Sequence, residues 1–173
     1  ILVITGTYTL AIIVLPLAAV YTAASLSRAW GKLDESWHHV ATRFSFSLIP
    51  VGFAMWLAHY SFHFLTSYDT IILATQRFAV DFGWNALGNP LWQYSCCRPA
   101  AKWIPYLEIL MLDFGLLLSL YTGFRIAVTK TSHVPHALKA FSPWALLIVL
   151  LFACGVWIVF QPMEMRGTLP PLS

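Results

Sequence analysis

The sequence predicts an all-α integral membrane protein with four transmembrane helices and a short interfacial helix. Three stretches of the 173-residue chain contain no Asp, Glu, Lys or Arg: 1–27, 44–68 and 140–163. A fourth stretch, 103–127, contains only Glu108, Asp113 and Arg125. A helix of roughly 20 mostly apolar residues crosses a bilayer. Only 10% of all residues are charged, against about 25% in soluble domains.

The four helices are expected at about 2–27, 40–66, 105–130 and 142–161, in one domain that covers 1–173. Pro16 is expected to kink the first helix, because proline removes a backbone hydrogen bond, and Pro50 falls within the second. Pro105 and Pro143 are expected in the first turns of the third and fourth helices, where that loss costs nothing. Because the chain begins with Ile1 rather than Met, we expect a processed protein or part of a longer one.

Positive charges near the helix ends predict the orientation. The short connections 29–39 and 128–140 lie on one side of the membrane, called side B. This side has six positively charged residues: Arg28, Lys32, Arg43, Arg125, Lys130 and Lys139. The opposite side, side A, has four, spread over the long loop 67–104 and the C-terminal tail: Arg77, Arg98, Lys102 and Arg166. An excess of Lys and Arg in short loops marks the cytoplasmic face. We therefore expect a multi-pass protein of the bacterial inner membrane, with side B cytoplasmic and loop 67–104 periplasmic.

The long loop has its own predicted structure. The segment TIILATQRFAVDF, with Thr70 as its cap, is expected to form a helix that lies in the membrane interface or packs on the bundle. Five aromatic residues are expected to anchor side A at the lipid surface, with a ligand cage as the alternative: Trp84, Trp92, Tyr94, Trp103 and Tyr106.

The chain has three cysteines, Cys96, Cys97 and Cys154. The adjacent pair in the loop is compatible with a strained vicinal disulfide, a copper ligand pair or two residues without a special role. Cys154 is expected to be a packing residue of the last helix. Iron–sulfur clusters need about four thiolates, so this chain is not expected to bind one alone.

Four ionisable residues are the candidates for a functional site. His59 and His63 lie four residues apart near the end of the second helix, and so share a face. Glu108 and Asp113 lie near the start of the third helix. These two helices run in opposite directions, so a rise of about 1.5 Å per residue places His63 level with Glu108 and His59 level with Asp113. These four residues are therefore candidates for a quinone or proton-handling site in the side A half.

Three interpretations of these residues remain open. A carboxylate and a histidine can pair simply to lock two helices together. They can instead accept the protons that a quinol releases on oxidation. They can also bind zinc or copper, whereas a bis-histidine haem is not expected, since the first, third and fourth predicted helices contain no histidine. The other four histidines are expected to be solvated at side B, with a metal patch as the alternative: His38, His39, His133 and His136.

Several function classes are not supported. The sequence contains no nucleotide-binding loop, no G-x-S-x-G and no H-E-x-x-H motif, and a net charge of +3 does not indicate nucleic-acid binding. Catalysis by this chain alone is not expected. Gly115, Ser119 and Gly123 recur every four residues, a spacing that lets helix backbones approach closely. We expect this stripe to contact either a partner subunit or other helices of the same chain.

Three segments resemble the membrane region of bacterial membrane-bound iron–sulfur electron-transfer proteins of the polyferredoxin type. They are LIPVGFAMWLAHYSFHFLT at 48–66, YLEILMLDFGLLLSLYTGFRIA at 106–127 and LLFACGVWIVFQPMEMRGT at 150–168. The resemblance implies a helical membrane part that serves electron transfer between quinone and a partner. The family's C-x-x-C-x-x-C repeats are absent, so no cluster-binding residue carries over, and a cluster is expected only if another segment supplies it.

Together these observations predict a membrane subunit of a bacterial electron-transfer complex. It would anchor a redox module and contribute to a quinone, quinol or proton-handling site. Its expected partners are other membrane-protein subunits and lipid, and quinone or lipid are the expected small molecules. The alternative is a purely structural scaffold or assembly subunit. A small-solute transporter is less favoured, because four helices without repeat symmetry leave little room for alternating access.

The topology gives the first testable prediction. Compartment-sensitive reporters fused at Lys32 and at Pro90 should report opposite sides of the membrane, with Lys32 cytoplasmic. The physical reason is the odd number of crossings between these positions and the charge bias of the short loops. Reporters that agree with each other would contradict the topology.

Overall fold

The computed structural model describes residues 2–90, 102–131 and 133–161. In these ranges the chain forms five α-helices: α1 (Leu2–Gly31), α2 (Trp37–Ser67), α3 (Thr70–Asp81), α4 (Ile104–Lys130) and α5 (Val134–Val159). All except α3 are long and apolar enough to cross a membrane, as the sequence predicts. The short helix predicted in the long loop is α3, and a 3₁₀ turn, Asn85–Leu87, follows it.

Irregular turns precede the prolines of α1 and α2. A π-helical segment, Leu10–Val14, comes just before Pro16, and a 3₁₀ turn, Phe46–Leu48, comes just before Pro50. Proline has no N–H to donate, and its ring crowds the carbonyl four residues earlier. The turn before each proline therefore adopts a different hydrogen-bond pattern, while the helix continues on both sides.

The predicted start of the last helix at Ser142 is wrong. Helix α5 begins at Val134 with Pro135 in its first turn, and Pro143 lies inside the helix. Pro143 cannot donate to the carbonyl of Lys139, and that carbonyl instead accepts a hydrogen bond from Ser142 Oγ at 3.0 Å. Hydroxyl groups that satisfy such freed carbonyls allow a helix to pass through a proline.

Other helix ends differ from the prediction by a few residues. Helix α1 continues to Gly31 and ends where Lys32 adopts a left-handed conformation with φ of 52°. Helix α2 begins directly after Ser36, whose hydroxyl accepts a backbone N–H bond and so caps the helix. The N-cap position of α3 belongs to Asp69, and the predicted cap, Thr70, is the first helical residue.

Helix α4 lies between α2 and α5, whereas α1 packs on α5 and on the start of α2. The core at side B includes the rings of Phe44 and Trp144, which are fully buried and stacked with centroids 5.4 Å apart. Ser27 of α1 donates a hydrogen bond to the carbonyl of Ala140 of α5. Nothing in the first half of α1, residues 2–14, is buried. The side B end is therefore the more tightly packed end of α1.

The small-residue stripe of α4 packs against helices of its own chain. Ser119 Oγ accepts a hydrogen bond from the backbone N–H of Val51 at 2.9 Å. A methyl group added at Gly115 would overlap the side chain of Ala54 and approach the carbonyl of Pro50 to 3.0 Å. The sequence left two contacts open for this stripe, one with a partner subunit and one with other helices of the same chain. The structure shows the contact with helices of the same chain.

The close approach of α4 to α2 can be tested with two glycines. Gly115→Ala should destabilise the fold by about 1–3 kcal/mol, because inserting a methyl group into a filled core forces neighbouring groups apart. Gly52→Ala on α2 is the matched control, since a Cβ there meets nothing within 4 Å. Equilibrium unfolding in detergent micelles measures both. Equal stability of the two variants would contradict the packing described here.

Candidate functional site

A cavity of about 380 Å³ lies between α2, α4 and α5, in the half of the bundle where α2 ends and α4 begins. Its walls are mainly apolar, and include Met55, Leu112 and Ile158. Two of its polar side chains are those of His59 and Glu108. An apolar cavity of this size class with few polar groups is typical of small-molecule sites.

Glu108 is the most unusual residue of this cavity. Its side chain lies on the face of α4 that packs inward, and only 2% of the residue is exposed. The carboxyl oxygen Oε1 is buried without a hydrogen-bond partner. An unpartnered polar group inside an apolar environment costs stability. A protein that retains such a group places it where a ligand or a proton can reach it, or accepts the cost for another structural reason.

The two histidines of α2 form a pair. Their Nε2 atoms are 3.2 Å apart, within hydrogen-bond distance, and their ring centroids are 4.6 Å apart. One imidazole must donate and the other accept, so the two tautomers are coupled. His59 lines the cavity, whereas His63 lies one turn nearer the end of α2. The pair therefore extends from the cavity toward side A.

The structure brings together some of the predicted site residues. His59 and Glu108 share the cavity, but within the described ranges no hydrogen bond or ion pair joins a histidine of α2 to a carboxylate of α4. Asp113 is half-buried and does not line the cavity. Positions five apart on a helix differ by about 140° in direction, so the inward position of Glu108 turns Asp113 away.

The register of α2 and α4 follows from two side-chain contacts. Ser61 Oγ lies 3.7 Å from Met111 Sδ, and the hydrogen bond from Val51 to Ser119 lies further toward side B. These contacts place the end of α2 beside the start of α4. The histidines and the carboxylates therefore lie in the same half of the bundle.

The last helix contains a histidine, contrary to the prediction. Because α5 begins at Val134 rather than Ser142, it includes His136, which lies at side B, away from His59. The His39 Nε2 atom contacts Glu35 Oε2 at 3.3 Å, and the rings of His133 and His136 are 6.0 Å apart. Among the described residues, no group of three or more His, Cys, Asp or Glu side chains is placed to hold a metal ion.

The remaining candidates lie apart from the cavity. Cys154 is exposed rather than packed inside, since the next residue, Gly155, is the one that faces Met55 and Leu112. Trp84, Trp103 and Tyr106 are all exposed. Four predicted residues lie outside the described ranges: Cys96, Cys97, Trp92 and Tyr94.

Sequence reasoning missed several residues of the cavity wall. Trp56 and Tyr60 are spaced four apart on α2 and have ring centroids 4.7 Å apart. Their spacing is a usable signal for a shared face. Gly155, Ile158 and Val159 belong to the cavity through α5. Only Gly155, which has no side chain and lies within an apolar run, indicates a close approach there.

Comparison with protein-family models, curated proteins and solved structures finds no match to this chain. The similarity to iron–sulfur electron-transfer proteins thus depends on the three sequence segments alone, and the argument for function depends on the geometry of the cavity.

Replacing Glu108 tests whether its burial has a stability cost. Glu108→Leu should stabilise the fold by about 1–3 kcal/mol, because it removes an unpartnered polar atom and fills apolar space. Glu108→Gln is the matched control and should change stability little, since it keeps a polar oxygen in the same place. Unfolding in detergent micelles gives both values. Destabilisation by Leu would instead assign Glu108 a structural role in joining the helices.

Proposed function

We propose that this chain is a membrane-embedded subunit of a bacterial electron-transfer complex, and that the Glu108 cavity is a quinone or quinol site. In this proposal the four long helices cross the inner membrane, side B is cytoplasmic and loop 67–104 is periplasmic. The observation that carries the proposal is the unpartnered carboxyl oxygen of Glu108 in an apolar cavity. A quinol hydroxyl bound in the cavity would supply the hydrogen-bond partner that this oxygen lacks.

His59 and Glu108, two of the polar side chains of the cavity, fit the proton chemistry of quinol oxidation. A quinol that becomes a quinone loses two protons and two electrons. The carboxylate of Glu108 accepts one proton and the imidazole of His59 accepts the other, since both groups serve as bases. The apolar walls, with Met55, Leu112 and Ile158 among them, hold the ring beside these two groups. The electrons pass to an iron–sulfur or haem centre on a partner subunit, which this chain anchors.

The histidine pair supplies a route for the proton to leave. His59 lines the cavity, and its Nε2 atom is 3.2 Å from that of His63. Imidazole can take up a proton on one nitrogen and release one from the other. His63 lies close to Ser67, where α2 ends. Protons taken from a quinol would thus be released on side A, the periplasmic side in this proposal.

A purely structural scaffold is the second candidate, and one observation favours it. Residues in the first half of α1 are mostly exposed apolar side chains, for example Leu2 at 89% and Ile12 at 66%. This surface buries nothing against its own chain, so it is available to a helix of another subunit or to lipid. A scaffold has no need of an unpartnered carboxyl group in a cavity, which is why the quinone site is preferred.

Substitution of the two carboxylates separates these functions. In membranes that contain the assembled complex, Glu108→Gln should lower quinol-dependent electron flow per complex by about 10²-fold or more, the usual contribution of a proton-transferring side chain. Asp113→Asn is the matched control on the same helix and should leave this rate unchanged. The rate is normalised to the amount of complex on a native gel.

Two results would contradict the quinone site. Turnover per complex that is unchanged by Glu108→Gln would exclude a role for this carboxyl group in proton transfer. A loss of activity that follows only the yield of the complex, equally for both variants, would support the scaffold function.

A further inference from the structure

A second polar site lies at the opposite end of the bundle. A groove of about 350 Å³ runs between the last turns of α1 and the start of α2, and its lining includes Ser25, Arg28, Leu33 and Trp37. It is separate from the Glu108 cavity, which lies between α2, α4 and α5 near side A. None of the residues of the groove takes part in the proposed quinone chemistry.

Arg28 gives the groove its charge. Its Nε atom is buried without a hydrogen-bond partner, and no described residue forms an ion pair with its guanidinium group. Two other cations at this end have partners: Lys130 Nζ is 2.5 Å from Glu35 Oε1, and Arg125 donates to Tyr121 Oη at 3.0 Å. The remaining three are exposed: Lys32, Arg43 and Lys139. A guanidinium group presents a planar fork of donors that matches phosphate oxygens.

The position of the groove favours a lipid headgroup as the source of a phosphate ligand. Arg28 directly follows the charge-free stretch 1–27, so in the proposed membrane orientation it lies where a helix leaves the hydrocarbon core and meets the lipid headgroups. Trp37 packs edge-on against Tyr21 with centroids 4.7 Å apart, and tryptophan and tyrosine rings prefer this depth. Leu26 and Trp30, on the same part of α1, are exposed and can contact acyl chains.

We propose that this groove binds the phosphate group of an anionic phospholipid, with Arg28 as its main ligand and Trp37 as a wall of the site. The inference depends on the membrane placement in the proposed function but not on the quinone site. A bound headgroup would join the end of α1 to the start of α2. Unchanged turnover in Glu108→Gln, which would contradict the quinone site, therefore leaves this proposal unaffected, and a failure to bind lipid would leave the quinone site unaffected.

Lipid retention by the purified protein in detergent tests the proposal. Native mass spectrometry should show that the wild-type protein retains phosphatidylglycerol and does not retain diacylglycerol with the same acyl chains, which lacks the phosphate. Arg28→Gln should weaken phosphatidylglycerol binding by about tenfold, the usual effect of losing one charge-assisted contact. Arg43→Gln is the matched control, because Arg43 is exposed at the same end and does not line the groove.

Three outcomes would overturn the proposal. Equal retention of diacylglycerol and phosphatidylglycerol by the wild-type protein would show that the phosphate is not recognised, and this arm needs no variant to fold. Equal effects of Arg28→Gln and Arg43→Gln would remove the groove as the site. Displacement of the lipid by an equal concentration of inorganic phosphate would show a site for free phosphate instead of a phospholipid.

Discussion

The contact between α4 and α2 at Gly115 and Ser119 is the constraint on which the rest of the bundle depends. The Ser119 hydroxyl accepts a hydrogen bond from the backbone N–H of Val51. Val51 directly follows Pro50, just after the 3₁₀ turn inside α2. Gly115 leaves no room for a Cβ beside Pro50. Close packing and a satisfied backbone group together fix both the register and the rotation of α4 against α2. Two turns closer to side A, that rotation turns Glu108 inward.

This rotation also explains which part of the site the sequence could predict. The charge-free stretches predict the four long helices, and a fixed rise per residue predicts that His59, His63, Glu108 and Asp113 lie in the same half of the bundle. Spacing alone could not decide which carboxylate faces inward, since this depends on the packing face of α4. The same limit applies to the start of α5, because in the sequence Pro143 resembles a first-turn residue. The hydrogen bond from Ser142 to the carbonyl of Lys139 and the contact of Ser27 of α1 with Ala140 are visible only in the structure.

Buried charged groups occur at both ends of the bundle, some with partners and some without. At side B, Glu35 contacts both Lys130 and His39, and these contacts connect the α1–α2 turn to the end of α4. Arg28 Nε at side B and Glu108 Oε1 in the side A half are each buried without a hydrogen-bond partner. At each end, therefore, one charged side chain with an unpartnered atom lines a pocket, and such departures from full pairing are expected where a site requires them.

In the proposed function this chain handles the protons and a partner handles the electrons. Glu108 and His59 line the cavity, His63 is within hydrogen-bond distance of His59, and carboxyl and imidazole groups can accept and pass on protons. Three cysteines are too few for this chain to hold an iron–sulfur cluster alone. A quinol cannot give up protons at one place unless its electrons leave as well. In the proposed function the electron acceptor must therefore lie on a partner close enough to the cavity to receive them. The exposed first half of α1 and the side A aromatic residues Trp84, Trp103 and Tyr106 are surfaces on which such a partner can dock.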